Sequence, residues 1–253
     1  VNKDIIRQTA VVLALIVTIV INGLANALPL NGQTTGEISD RFDVYFVPAG
    51  YVFSIWGLIY LSLVAFAVYQ ALPGQREDPQ LRQVGYLFVL SCVANVAWLF
   101  LWHYERFPLT IVAMAGLLLL LIGIYLRLGT GRTQVSTAER WLVRVPFSIY
   151  LGWVTVATIS NASVLLDYLN WGRWGISPEI WTIIMLGAAT AITSVVAITR
   201  GDVAYGLVIV WALIGIAVKH ADTPIVATTA WVMTVIVVLV TALGAWLNRR
   251  PVP

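Results

Sequence analysis

Long apolar runs alternate with short polar breaks along the whole chain. An α-helix rises 1.5 Å per residue, so about 20 apolar residues are needed to cross roughly 30 Å of hydrocarbon. Eight stretches reach or approach that length: Thr9 to Leu28, Ala49 to Leu72, Val84 to Trp102, Leu109 to Leu128, Trp141 to Tyr168, Ile180 to Thr199, Val203 to Val218 and Ile225 to Leu247. The seventh is the shortest. Pro48, Pro73, Pro108, Pro178 and Pro224 stand at starts or ends, where a missing N–H and a fixed φ cost least. The pattern predicts an all-α integral membrane protein with eight transmembrane helices.

Polar positions inside three of these runs are not scattered. In the second, Trp56 and Tyr60 lie one turn apart, with Gly50 and Gly57 as places where another backbone could approach closely. In the third, Asn95, Trp98 and Trp102 form one stripe. In the fifth, Tyr150, Trp153, Ala157 and Asn161 repeat at three- and four-residue steps. An amide or phenol facing lipid without a partner is costly, so these stripes predict faces turned away from lipid, toward one pocket. Any one stripe taken singly is better explained by packing aromatics and inter-helix hydrogen bonds.

Composition agrees with the pattern. Hydrophobic residues make up 60% of the 253 and charged residues only 11%, with a mean hydropathy of +0.87, far outside the soluble globular range. The formal charge of +3 is spread between apolar runs without a basic patch, which argues against a nucleic-acid partner and makes the bilayer itself the first partner. Cys92, the single cysteine, lies in an apolar run and reads as inert packing; no disulfide can form within the chain.

The cations instead report topology. Lys3, Arg7, Arg76, Arg82, Arg127, Arg132, Arg140, Arg144, Arg200, Arg249 and Arg250 fall on the N-terminal side of an eight-span arrangement. Arg41, Arg106, Arg173 and Lys219 fall opposite. Both termini are therefore expected in the cytoplasm, and the loop from Pro29 to Val47, with Glu37, Asp40 and Asp43, is expected outside. This is the longest connection, longer than bundles ordinarily use, and reads as a lid or binding loop. Lys3 and Arg7 ahead of an apolar run ending in Ala25-Asn26-Ala27 imitate a signal peptide, but the run is long enough to favour a retained helix. The chain begins with Val1, so an upstream residue or segment is expected to be absent.

Catalytic and coupling chemistry is poorly represented. No Asp, Glu, Lys or Arg sits near the centre of a span, where a charge ordinarily marks an ion or proton path. Lys219, the only lysine after Lys3, lies at a helix end beside His220 and Asp222, which disfavours a retinal Schiff base. There is no zinc-protease, phosphate-loop or serine-triad signature, so no catalytic residue and no protein metal site is assigned. His103, after Trp102, is a residue type able to ligate a haem or porphyrin metal, although such a histidine is more often an interfacial polar group.

Together the three motifs resemble the translocator protein and tryptophan-rich sensory protein (TspO/MBR) family. The second helix of that family has a proline followed by a tryptophan and tyrosine spaced like Pro48, Trp56 and Tyr60. Its third has the Asn-x-x-Trp of Asn95 and Trp98, and its fifth the Tyr-x-x-Trp then Asn of Tyr150, Trp153 and Asn161, with Ala157 at the small position. The resemblance implies a five-helix bundle over residues 1–170 with a lid between its first two helices. It implies a pocket for porphyrins or other flat hydrophobic ligands, lined or supported by Trp56, Tyr60, Asn95, Trp98, Tyr150, Trp153, Ala157 and Asn161. No cofactor is required; a bound porphyrin or haem, a bacterial inner membrane and a homodimer all fit the same resemblance.

The chain departs from the family pattern at two places. The paired prolines are reduced to Pro48 behind Val47, and Ile149 stands where a proline is expected, with Pro146 displaced upstream. Residues 171–253 add three apolar helices to the five. Trp181, Trp211 and Trp231 fall near different spans there, Thr190, Thr193 and Ser194 supply hydroxyls, and Gly187 with Ala191 forms a small-xxx-small step. The function implied is a membrane sensor or receptor. A transporter of a small amphipathic compound is the alternative, and an enzyme altering a bound porphyrin lacks a convincing acid or base.

Overall fold

A computed structural model describes residues 2–28 and 30–248. Val1, Pro29, Arg249, Arg250 and the side chain of Asn26, all used in the reading above, lie outside the described residues. Regular structure among the described residues is entirely helical. Seven helical segments are long and apolar enough to cross a membrane, as expected for an all-α integral membrane protein. The remaining expected span is α9, Val203–Lys219; its 17 residues reach about 26 Å at the α-helical rise.

The chain forms two compact units: Val1–Arg41, Trp56–Thr130 and Val135–Leu151 in one, Phe42–Ile55, Gly131–Gln134 and Gly152–Pro253 in the other. The division runs through two helices, α3 (Ile55–Ala71) and α7 (Val145–Tyr168).

The first unit packs α4 (Pro79–His103) between α1 (Lys3–Ala27) and α5 (Phe107–Arg127). Its centre is aromatic: Phe66, Phe88 and Phe147 meet edge to face, with ring centroids 4.9 to 5.8 Å apart. At one end, Gln8 and Gln70 donate to each other's backbone carbonyls at 2.6 and 3.2 Å, tying α1 to α3. Nearby, Asp4 accepts two hydrogen bonds from Arg82, at 2.9 and 2.6 Å. Leu61, Val112 and Leu119 are more than 60% exposed on these spans, which suits lipid and would be unfavourable in water.

Two local features of this unit depart from the sequence reading. The expected loop contains a short helix, α2 (Thr35–Ser39), closed by a capping box: Thr34 caps Glu37 while the Glu37 carboxylate accepts from the Thr34 N–H at 2.7 Å. Thr34-x-x-Glu37 carries that signal in the sequence. The fifth span begins earlier than Trp141, with α6 (Thr137–Glu139) and a π-helical turn over Arg140–Arg144, where the Val145 N–H bonds the Arg140 carbonyl. Pro146 supplies the reason. It has no N–H and its ring excludes the carbonyl one turn back, so the ladder slips a residue ahead of it.

In the second unit, α8 (Pro178–Arg200), α9 and α10 (Pro224–Leu247) pack against one another. Close approach occurs at Gly215 and Gly244, where an added Cβ would collide with Val52 and with the Ala197 carbonyl respectively. It does not occur at Gly50 or Gly187, nor at Gly57 of the first unit, where a placed Cβ meets nothing within 4 Å among the described residues beyond its own local backbone. Thr193 and Ser194 bond back to the carbonyls of Ala189 and Thr190, at 2.7 and 2.8 Å. The segment Gly50–Ser54 is a 3-10 turn held to α9: Ala49 N–H bonds the Gly215 carbonyl at 3.1 Å, and the Trp211 indole N–H bonds that of Val52 at 3.1 Å.

Candidate functional site: an aromatic and amide cluster in the first unit

Helical spacing on α3 sets the Trp56 and Tyr60 rings in a stack, 5.5 Å between centroids at 21°. Tyr150, from α7, meets Trp56 edge on at 6.0 Å. Below these rings runs a chain of side-chain hydrogen bonds. Asn22 of α1 donates to the Thr18 carbonyl and to the Asn95 amide oxygen, each at 2.9 Å, and Asn95 donates to the Tyr150 hydroxyl at 3.2 Å. Asn22, Asn95 and Tyr150 are all at least nine-tenths buried. Cys92 sits beside this chain, its thiol hydrogen-bonded with Thr18.

Three helices thus contribute one polar group each, as burial in a membrane requires. The Tyr60 hydroxyl stands apart: it is buried and has no hydrogen-bond partner among the described residues. Leaving such a group unsatisfied costs about 1–3 kcal/mol, so the hydroxyl is a group that a further polar atom would favour pairing with.

Of the sequence-predicted residues, Trp56, Tyr60, Asn95 and Tyr150 come together here. Trp98 belongs to a separate stack with Trp102, 5.4 Å apart at 24°, and Trp102 meets Phe107 edge on. Trp153, Ala157 and Asn161 lie in the second unit. There Trp153 is 2% exposed and meets Phe53 edge on at 5.8 Å, and Asn161 is also 2% exposed. Asn22 and Thr18 are absent from the sequence reading. The available signal was an amide one turn after a threonine in an apolar run.

The part of the α1–α3 connection within this unit docks on the end of α4. Asn31 donates to the His103 carbonyl at 3.0 Å, the Trp102 indole N–H to the Thr35 carbonyl at 3.2 Å, and Arg41 pairs with Glu105 at 2.9 Å. The two hydrogen bonds from Thr34 hold the Glu37 carboxyl below its ordinary value. His103 is buried, with Nδ1 2.9 Å from the Leu99 carbonyl. A carbonyl only accepts, so Nδ1 donates this hydrogen bond, and Nε2 is buried with no hydrogen-bond partner among the described residues.

No curated protein and no solved structure matches the chain. A family model described as TSPO-like protein matches residues 8–243, running through the last three helices as well as the first five, and the chain belongs to that family.

Proposed function

We propose that this protein is a membrane sensor or receptor that binds a flat hydrophobic ligand, a porphyrin or related tetrapyrrole, at the aromatic and amide cluster of the first unit. The observation that carries this reading is the buried Tyr60 hydroxyl, which has no hydrogen-bond partner among the described residues, beside the Trp56–Tyr60 stack. Stacked aromatic faces offer a planar apolar ligand favourable contact, and the hydroxyl offers its periphery one hydrogen bond. The residues present therefore fit such a ligand. The Asn22–Asn95–Tyr150 chain holds the rings in place from below.

Protoporphyrin titrated into the detergent-solubilised protein should quench tryptophan emission saturably. Trp56→Phe should reduce the quenching amplitude, and Tyr60→Phe should weaken affinity about fivefold or more, the value of one buried hydrogen bond. Non-saturating quenching, identical in both variants, would count against a specific site. Uptake into sealed vesicles separates the receptor from a transporter of small amphipathic compounds, since a receptor binds without accumulating ligand. The bilayer proposed is a bacterial inner membrane.

A further inference from the structure

Three arginines of the first unit gather around one carboxylate, where α1, the turn after α3 and the start of α4 meet. Asp4 interacts electrostatically with Arg7, Arg76 and Arg82, but its two oxygens are taken by Arg82. Arg7 is left with a loose ion pair to Asp4, at 4.0 Å, and one hydrogen bond, from Nη2 to the Arg76 carbonyl at 2.9 Å. Its Nε and Nη1 are buried with no hydrogen-bond partner among the described residues, and so is Nε of Arg76. We propose that this cluster is a binding site for an anionic phosphate group, carried by a lipid headgroup or present as free phosphate.

Burial is the first support. Arg7 is 2% exposed, and a guanidinium cannot shed its charge to suit such surroundings. A buried cation whose donors lack acceptors is unfavourable. An oxyanion supplies several acceptors at once, in the planar paired geometry that the guanidinium fork matches.

The seat of Arg7 is the second. It lies against Gly85 of α4, where an added Cβ would stand 2.9 Å from both Cγ and Cδ of the arginine. Absence of a side chain at Gly85 therefore lets the Arg7 stem cross the α4 backbone and sets where its head group can go.

The third is that neighbouring carboxylates are engaged elsewhere. Asp78 accepts from the N–H groups of Gln80 and Leu81, at 2.9 and 2.8 Å, capping α4. Glu77 is exposed and acts on Arg82. Arg82, with 46% of its side chain exposed, opens the cluster to the surface. Around it Ile5, Ile6 and Tyr86 are 40%, 48% and 52% exposed, and Tyr86 interacts electrostatically with Arg7. An apolar surface beside a basic cluster suits a phospholipid, whose acyl chains and phosphate need both.

Thermal melts of the full chain in detergent, after removal of co-purified lipid, test the proposal. Phosphatidylglycerol is titrated in mixed micelles, and sodium phosphate is titrated separately against sodium chloride of equal ionic strength. A saturable rise in melting temperature is expected, with phosphatidylglycerol only if a headgroup fills the site, and with sodium phosphate if free phosphate does. Arg7→Met should raise the half-saturating concentration about tenfold or more, the value of charge-assisted hydrogen bonds. Gly85→Ala keeps every charge but displaces the Arg7 stem, and should raise it severalfold. Arg127→Gln removes one cation at the end of α5 and should leave it unchanged. No saturable rise with either compound, an equal rise with zwitterionic phosphatidylcholine, or an undiminished response in Arg7→Met or Gly85→Ala would each overturn the site.

Discussion

Asn95, 1% exposed, accepts from Asn22 and donates to Tyr150. Asn95→Ala should lower thermal stability by about 1–3 kcal/mol, because it removes a buried hydrogen-bond partner from both Asn22 and Tyr150. A double-mutant cycle with Asn22→Ala should give a coupling of about 0.6–1.7 kcal/mol, the range for polar pairs between membrane helices. Unfolding followed in detergent reads both. Two ionisable residues outside the spans make stability depend on pH. Glu37 has a carboxyl held below its ordinary 4.5. The contribution of its capping box is present above that value and lost as pH falls through the lowered one. Amide exchange in Thr35–Ser39 should accelerate there, and Thr34→Val should abolish the pH dependence. His220 is held below 6.5 by burial first and by Lys219 second. The unfolded chain takes up this proton first, so stability is full above 6.5 and declines as pH falls toward the folded value. His220→Gln should flatten that decline in melts between pH 7.5 and 5.

Among the helices, packing was only partly legible. The spans are readable because apolar length is a property of the chain alone. Which small residue faces a neighbour is not, because Gly187, Gly215 and Gly244 carry the same local signal and differ only in what stands opposite. Gly244→Val should cost about 1–3 kcal/mol or more through overpacking between α10 and α8. Gly187→Ala should be neutral or stabilising by up to about 1 kcal/mol, since nothing meets the added methyl. The same thermal melts compare the two. The π turn before Pro146 follows a comparable logic. Proline in the sequence announces a fault in the ladder, but only the folded helix shows it absorbed over Arg140–Arg144.

For the molecule as a whole, the asymmetry of Lys and Arg predicts cytoplasmic termini and an external Pro29–Val47 loop. In intact cells of a Cys92→Ala background, a cysteine at Gly36 should react with a membrane-impermeant maleimide, and one at Arg132 should not. The reverse labelling would invert the topology. The family match extends to residue 243, so α8, α9 and most of α10 belong to the family's shared architecture.

Hydrophobic run length, motif spacing and charge asymmetry are written along the chain, and they were enough to establish a helical membrane protein, its family, and four residues of the first unit's cluster: Trp56, Tyr60, Asn95 and Tyr150. Spacing along a helix determines which side chains share a face, but not which faces meet. Only the tertiary structure joins Asn22 to Asn95, sends Trp98 to Trp102, and lays Arg7 across Gly85. Those contacts depend on helix rotation and packing across long sequence separations, which a one-dimensional pattern does not encode.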